Sequence, residues 1–180
     1  MMNQNVKLWL RAANPFTPPR GMAEAQRAAR VGAVALGIGV VQLFVGLLAM
    51  PKTEALAQVL AAQQKGQVMT AQQVAIQDAI VGMMPMFTLA ITLVFSVVYV
   101  VLAVAQWRRM TWVIPTIMLA FMAYGVLGGV GALLKIGSSI ELEFAFVRAL
   151  MWLVNLATIA MYVAAFRGGR MFEKLKRTYG

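Results

Sequence analysis

Four apolar runs, residues 31–50, 81–105, 112–134 and 144–166, limit what this chain can become. Each reaches or exceeds the ~20 residues that a helix needs to cross the hydrocarbon of a bilayer. Backbone groups in hydrocarbon must be satisfied within their own segment or within a closed barrel. Continuous apolar runs, without the in-and-out alternation of barrel strands, select the helix. The expected fold is therefore all-α, a polytopic membrane protein with a four-transmembrane-helix bundle. Composition agrees, at 61% hydrophobic, 12% charged and a mean hydropathy of +0.76. Little chain remains for a separate soluble domain, so residues 1–180 are expected to form a single membrane domain.

Charge fixes the expected orientation. Lys7, Arg11, Arg20, Arg27 and Arg30 precede the first run, Arg108 and Arg109 lie between the second and third, and Arg167, Arg170, Lys174, Lys176 and Arg177 follow the fourth. These are twelve of the sixteen basic residues. The positive-inside rule then places both termini in the cytoplasm, with 1–30 a cytoplasmic lead and 167–180 a basic tail against anionic headgroups. The expected location is a bacterial inner membrane. Ala55-Leu56-Ala57 imitates a leader-cleavage site, but a basic lead of about 30 residues does not fit a signal peptide. A net charge of +10 would suggest nucleic acid for a soluble chain. Here it belongs to the membrane surface, and no nucleic-acid partner is expected.

The connecting segments carry their own signals. In residues 1–14, Val6, Trp9 and Leu10 share a side flanked by Lys7 and Arg11, which fits a short helix lying among headgroups and equally a frayed tail. Thr17 before Pro18 reads as a cap opening the next helix. Residues 51–80 are the one long loop and read as an extracytoplasmic helical hairpin between the first two spans. Leu56, Val59, Leu60 and Gln63 give its first helix a face, and Thr70 with Gln73 is a capping box for its second. That second helix is expected to run on into the span at 81–105, bending at Pro85. Gln106 to Trp112 is short enough only for a tight turn, with Trp107 and Trp112 as interfacial anchors.

Polar and small residues inside the spans are the candidate working parts. Glu141, Arg148, Asn155 and Tyr162 recur every seven residues, two helical turns, and so form one stripe with Thr158 beside it. Gln42 in the first span and Thr92 and Ser96 in the second are the complementary polar groups at similar depth. Together Gln42, Thr92, Ser96, Arg148, Asn155 and Tyr162 make a candidate intramembrane polar stripe. Such groups face a partner helix or a wet cavity because lipid cannot solvate them. Arg148 is expected to reach the headgroups, to pair at the outer edge with Glu141, Asp78 or Glu54, or to serve as an anion or lipid-headgroup site. Gly32, Gly39 and Gly46 form a small-residue seam with Ala35 and Ala49, and Gly125 with Gly129 is a GxxxG pair. Both are patterns by which membrane helices approach closely.

The chemistry excluded is wide. With no Cys and no His there is no zinc site, no thiol chemistry, no His-ligated haem and no His-dependent triad. Met83, Met84 and Met86 could offer thioethers to Cu(I), but nothing beside them supports such a site, so neither metal nor cofactor is expected. All the acids lie outside the apolar cores, so no mid-membrane carboxylate is available as a proton or cation relay. The reading is thus of a non-enzyme: an accessory subunit or scaffold packing against other membrane proteins or against further copies of itself. The alternative is a small transporter or channel whose path is lined by the first, second and fourth spans.

Overall fold

The computed structural model describes residues 4–49, 70–135 and 145–179, the side chains of 128–135, 145–148 and 179 excepted. Over these residues the regular structure is five helices: α1 (Gln4–Ala13), α2 (Met22–Leu48), α3 (Ala71–Arg109), α4 (Val113–Lys135) and α5 (Ala145–Tyr179). Helices α2, α3 and α5 are long and apolar enough to cross a membrane. In α4 the described apolar stretch is the shorter Val113–Leu127. The described residues are therefore all-helical in their regular structure, and the apolar helices are those of a membrane protein. The first hairpin helix expected within 51–69 lies outside the described residues.

Local chemistry explains the helix ends. Thr70 and Gln73 form the expected reciprocal box: Gln73 Oε1 accepts from the Thr70 N–H at 2.9 Å, and Thr70 Oγ1 accepts from the Gln73 N–H at 3.3 Å. From there α3 runs unbroken through Pro85 to Arg109. Thr17, in contrast, caps no helix. The chain turns at Asn14, whose Oδ1 accepts from the Phe16 N–H at 2.9 Å, and α2 opens later, with Ala25 N–H donating to Gly21 O at 2.9 Å. Glu24 serves this start, accepting from the Arg20 N–H at 2.8 Å. Proline fixes only its own φ and cannot supply such acceptors, which is why Pro18 and Pro19 stay outside. The turn from α3 to α4 passes through Met110 at φ 52°, a left-handed position that a glycine would take at less cost. Pro115 falls in the first turn of α4, where its missing N–H leaves no bond unmade.

The chain divides into two compact units, Met1–Gly39 with Tyr99–Gly180, and Val40–Val98. In the first, four helices contribute to successive layers. Ala28 and Ala29 meet Gly168, and Gly169 meets Trp112. One turn along α2, Gly32 meets Ala165, Gln106 and Pro115. Next come Ala35, Leu36, Met118 and Tyr162, the buried apolar cluster, with Leu102 and Ala103 packed on it. Gly39 against Tyr99 follows. Residue numbers rise along α2 and α4 while they fall along α3 and α5, so the first two helices run antiparallel to the other two. Helix α1 rests against α5.

In the second unit Val81, Thr92 and Ser96 are buried, and the Ser96 hydroxyl donates to the Thr92 carbonyl of its own helix at 2.7 Å.

Small residues make the layers possible. A Cβ at Gly168 would lie 2.6 Å from Ala28 Cβ and from the Ala29 backbone nitrogen, whereas one at Gly37 would meet nothing within 4 Å among the described residues. Gly168→Ala should therefore lower stability in detergent by roughly 1–3 kcal/mol, the cost of overpacking a core. Gly37→Ala should be neutral or gain up to about 1 kcal/mol from helix propensity. Equal thermal midpoints for the two variants would contradict the close α2–α5 packing.

Candidate functional site

Within the first unit, the strongest concentration of polar and aromatic contacts lies where α1, the start of α2, the α3–α4 turn and the end of α5 meet. Gln106 is its centre. The sequence places this residue at the edge of a hinge, but it sits inside the last turn of α3 and is fully buried. Its Nε2 donates to Ala29 O of α2 at 2.8 Å and to Thr111 O across the turn at 2.9 Å. Two carbonyl acceptors fix the amide orientation, since the flipped form would set oxygen against oxygen. One side chain thereby ties α2, α3 and the entry to α4.

Aromatic and charged groups surround that tie. Trp9 of α1 stacks on Trp107 with centroids 6.2 Å apart and planes 10° from parallel. The Arg30 guanidinium lies 5.1 Å from the centre of the same Trp107 ring, a cation–π contact of about 0.5–1 kcal/mol or more when desolvated. On the α5 side, Trp112 Nε1 donates to Glu173 Oε2 at 3.0 Å and its ring meets Phe166 edge-on at 6.2 Å. Arg167 donates from Nη1 to the Pro15 carbonyl. Arg11 and Glu24 are 3.8 Å apart and partly exposed, a pairing that contributes at most about 1 kcal/mol. The basic tail is thus no separate segment: it continues α5 to Tyr179 and is held against the N-terminal lead.

The residues singled out from sequence fall in several places. Tyr162 is buried in the apolar cluster and Thr158 beside it is buried too, its hydroxyl donating to Val154 O at 2.7 Å. Asn155 and Gln42 are half-buried and engaged in contacts. Thr92 and Ser96 belong to the second unit together with Gln42. Asp78 is exposed on α3. Arg148 lies on the first turn of α5 but its side chain, like Glu141 and Glu54, falls outside the described residues. Of the packing glycines, Gly32 and Gly39 make the close contacts, at 2.9 Å to Ala165 and 3.0 Å to Tyr99. Gly46 and Gly125 meet nothing within 4 Å among the described residues, because the tight layers lie along the first part of α2 and the start of α4. Gly129 is on α4, with its surroundings outside the described residues.

Sequence reasoning missed Gln106, Gly168 and Gly169. A signal for the glycines exists: two adjacent glycines inside a helix cost about 2 kcal/mol of propensity, a cost that a close approach explains. Gln106 had a weaker one, an amide one position before the Trp107 anchor. Chemically the site is a lock, built from an amide, stacked rings and cations. Among the described residues no group of three or more acids could hold a metal ion. Comparison with protein-family models, with curated proteins and with solved structures finds no match.

Gln106→Leu keeps the volume and removes both bonds. Hydrogen bonds between helices in membranes average about 0.6 kcal/mol each, so a loss of roughly 1–2 kcal/mol is expected, read as a lower thermal midpoint in mild detergent. An unchanged midpoint would show that the amide ties nothing.

Proposed function

We propose that this chain is a four-span integral membrane subunit with both termini in the cytoplasm, and that it works without catalysis by packing against partner membrane proteins. Support for the fourth span comes from the layers. Helix α4 leaves, and α5 returns, at the layer where Trp112 meets Gly169. The 23 residues of α4 extend ~35 Å at 1.5 Å per residue, enough for a hydrocarbon core of about 30 Å. Support for the orientation is the meeting of the three basic segments through Arg167 with Pro15, Arg30 with Trp107 and Trp112 with Glu173.

The observation that carries the docking role is the surface of α3. Only 11% of its apolar window is buried within the chain. Met86, Phe87, Val94, Val97 and Val101 all stand exposed along it. A spanning helix so little covered by the described residues is available to lipid or to another protein. The hydroxyl at Ser96, bonded to its own helix, satisfies itself without a polar path.

Two measurements test the proposal. A reporter active only in the cytoplasm, fused after Gly180, is expected to be active; activity from an extracytoplasmic reporter there would contradict the topology. Purification in mild detergent is expected to bring down membrane proteins in fixed stoichiometry, and replacing Val94 and Val97 by Trp should release them. A self-contained oligomer with no second component would instead favour a small transporter, with Gln42, Thr92, Ser96, Arg148 and Asn155 lining its path.

A further inference from the structure

Two apolar grooves of the first unit flank the Trp9–Trp107 stack. One, of about 480 Å³, is walled by Val6, Trp9, Leu10, Val31, Val34 and Met161. The other, of about 300 Å³, is walled by Ala33, Val34, Val104, Trp107 and Arg108. Val34 is common to both, and the stacked rings contribute one indole to each. Apolar grooves alone would accept any hydrocarbon, but their ends are chemically unequal. Along α2, Arg30 lies one turn before Val34, and along α3, Arg108 lies one turn after Val104. Because α2 and α3 run antiparallel, the two arginines fall at the same end and the aliphatic walls extend away from them together.

Those arginines are not committed elsewhere by ion pairing among the described residues. Arg108 is exposed at the mouth of the second groove. The Arg30 Nε is buried and finds no hydrogen-bond partner among the described residues, although its guanidinium rests by Trp107. That N–H is enclosed, so only the terminal guanidinium nitrogens of Arg30 can reach a ligand. No acid lines either groove, and Lys7 on α1 adds a further cation near this end. Arginine is the side chain best matched to phosphate oxygens.

We propose that the two grooves hold the two acyl chains of one anionic glycerophospholipid, with the tryptophan stack between the chains and Arg108 and Arg30 on the phosphate. The lipid would bridge α1, α2 and α3 at the basic end, and so set the position of α1 as well as filling space. The chains, already out of water in a bilayer, contribute packing and the two-groove fit, and the arginines the choice between headgroups. The site requires only that the basic end lie at a leaflet, whichever side that is.

The test is native mass spectrometry of the full chain in mild detergent, titrated with dioleoyl phosphatidylglycerol, dioleoyl phosphatidylcholine or one-chain oleoyl lysophosphatidylglycerol. One phosphatidylglycerol per chain is expected to survive conditions that strip the other two lipids. Arg108→Gln should weaken its retention roughly fivefold, the effect of one arginine near an anionic surface, while Arg108→Lys should keep most of it and Arg170→Gln all of it. Val34→Trp, which fills the shared wall, should abolish it. Arg108 is exposed, so its replacement leaves the fold intact and that readout stands even where Val34→Trp does not fold. Equal retention of phosphatidylglycerol and phosphatidylcholine, equal retention of the one-chain lipid, or an unaffected Arg108→Gln would overturn the proposal. A reporter result against the cytoplasmic orientation would leave this binding untouched.

Discussion

Where Gly168 of α5 lies on Ala28 and Ala29 of α2, there is no room for even one added carbon. Lipid gives helices no hydrophobic reason to associate, so their association depends on backbone approach, dispersion and a few hydrogen bonds. At this contact all three operate together. The absence of a Cβ lets α2 and α5 close, the closed pair aligns Gly32 with Ala165 one turn deeper, and Tyr162 then seals the layer with Leu36 and Met118. Ala29 also offers its carbonyl to Gln106, which carries the constraint to α3 and through Thr111 to α4. Much of the first unit therefore follows from a short run of residues without bulk.

The same closeness gives the basic end its character. Once α5 is pressed on α2, the continuation beyond Gly169 has to pass the α3–α4 turn, and Trp112 finds Glu173 there. The N-terminal lead is drawn in by Arg167 at Pro15 and by Trp9 on Trp107. Of the twelve cations that sequence counts as one leaflet's charge, Arg30 and Arg167 are thus held in ordered aromatic and carbonyl contacts. A surface of that kind can discriminate among anionic groups where a frayed basic tail could only attract them.

Much of this was legible in the residues. Long apolar runs led to long apolar helices, and Thr70 with Gln73 formed its box because both partners of the motif lie within four residues. The small-residue seam of α2 was visible, but not how far it would be used: contacts lie at Gly32 and Gly39, and continue toward Ala25 through Ala28 and Ala29. Periodicity marks a face without marking which depth meets a partner. Thr17 was misread as a cap because a Thr-Pro pair is a local signal, and the acceptor that starts α2 is Glu24, four residues after the backbone N–H it serves. Gln106 was hidden for a different reason. Its partners are Ala29, 77 positions away, and Thr111 across a turn, and no short-range pattern encodes a bond of that span. Functional residues proved still less legible, since a chain without Cys or His offers none of the usual chemical landmarks.

That lack of cysteine makes the central contact directly measurable. In the double variant Gly32→Cys with Ala165→Cys the sulfurs would be the only thiols in the chain. A Cβ at position 32 would lie 2.9 Å from Ala165 Cβ; a disulfide holds its Cβ atoms about 3.5–4.5 Å apart, so the bond needs the helices to part by only a fraction of their diameter. Mild oxidation in native membranes should give a high yield of an intramolecular bond, seen as two cysteines blocked to alkylation in a monomer until reduction. Free thiols after oxidation, or bonds only between separate chains, would contradict the packing of α2 on α5 from which the account is built.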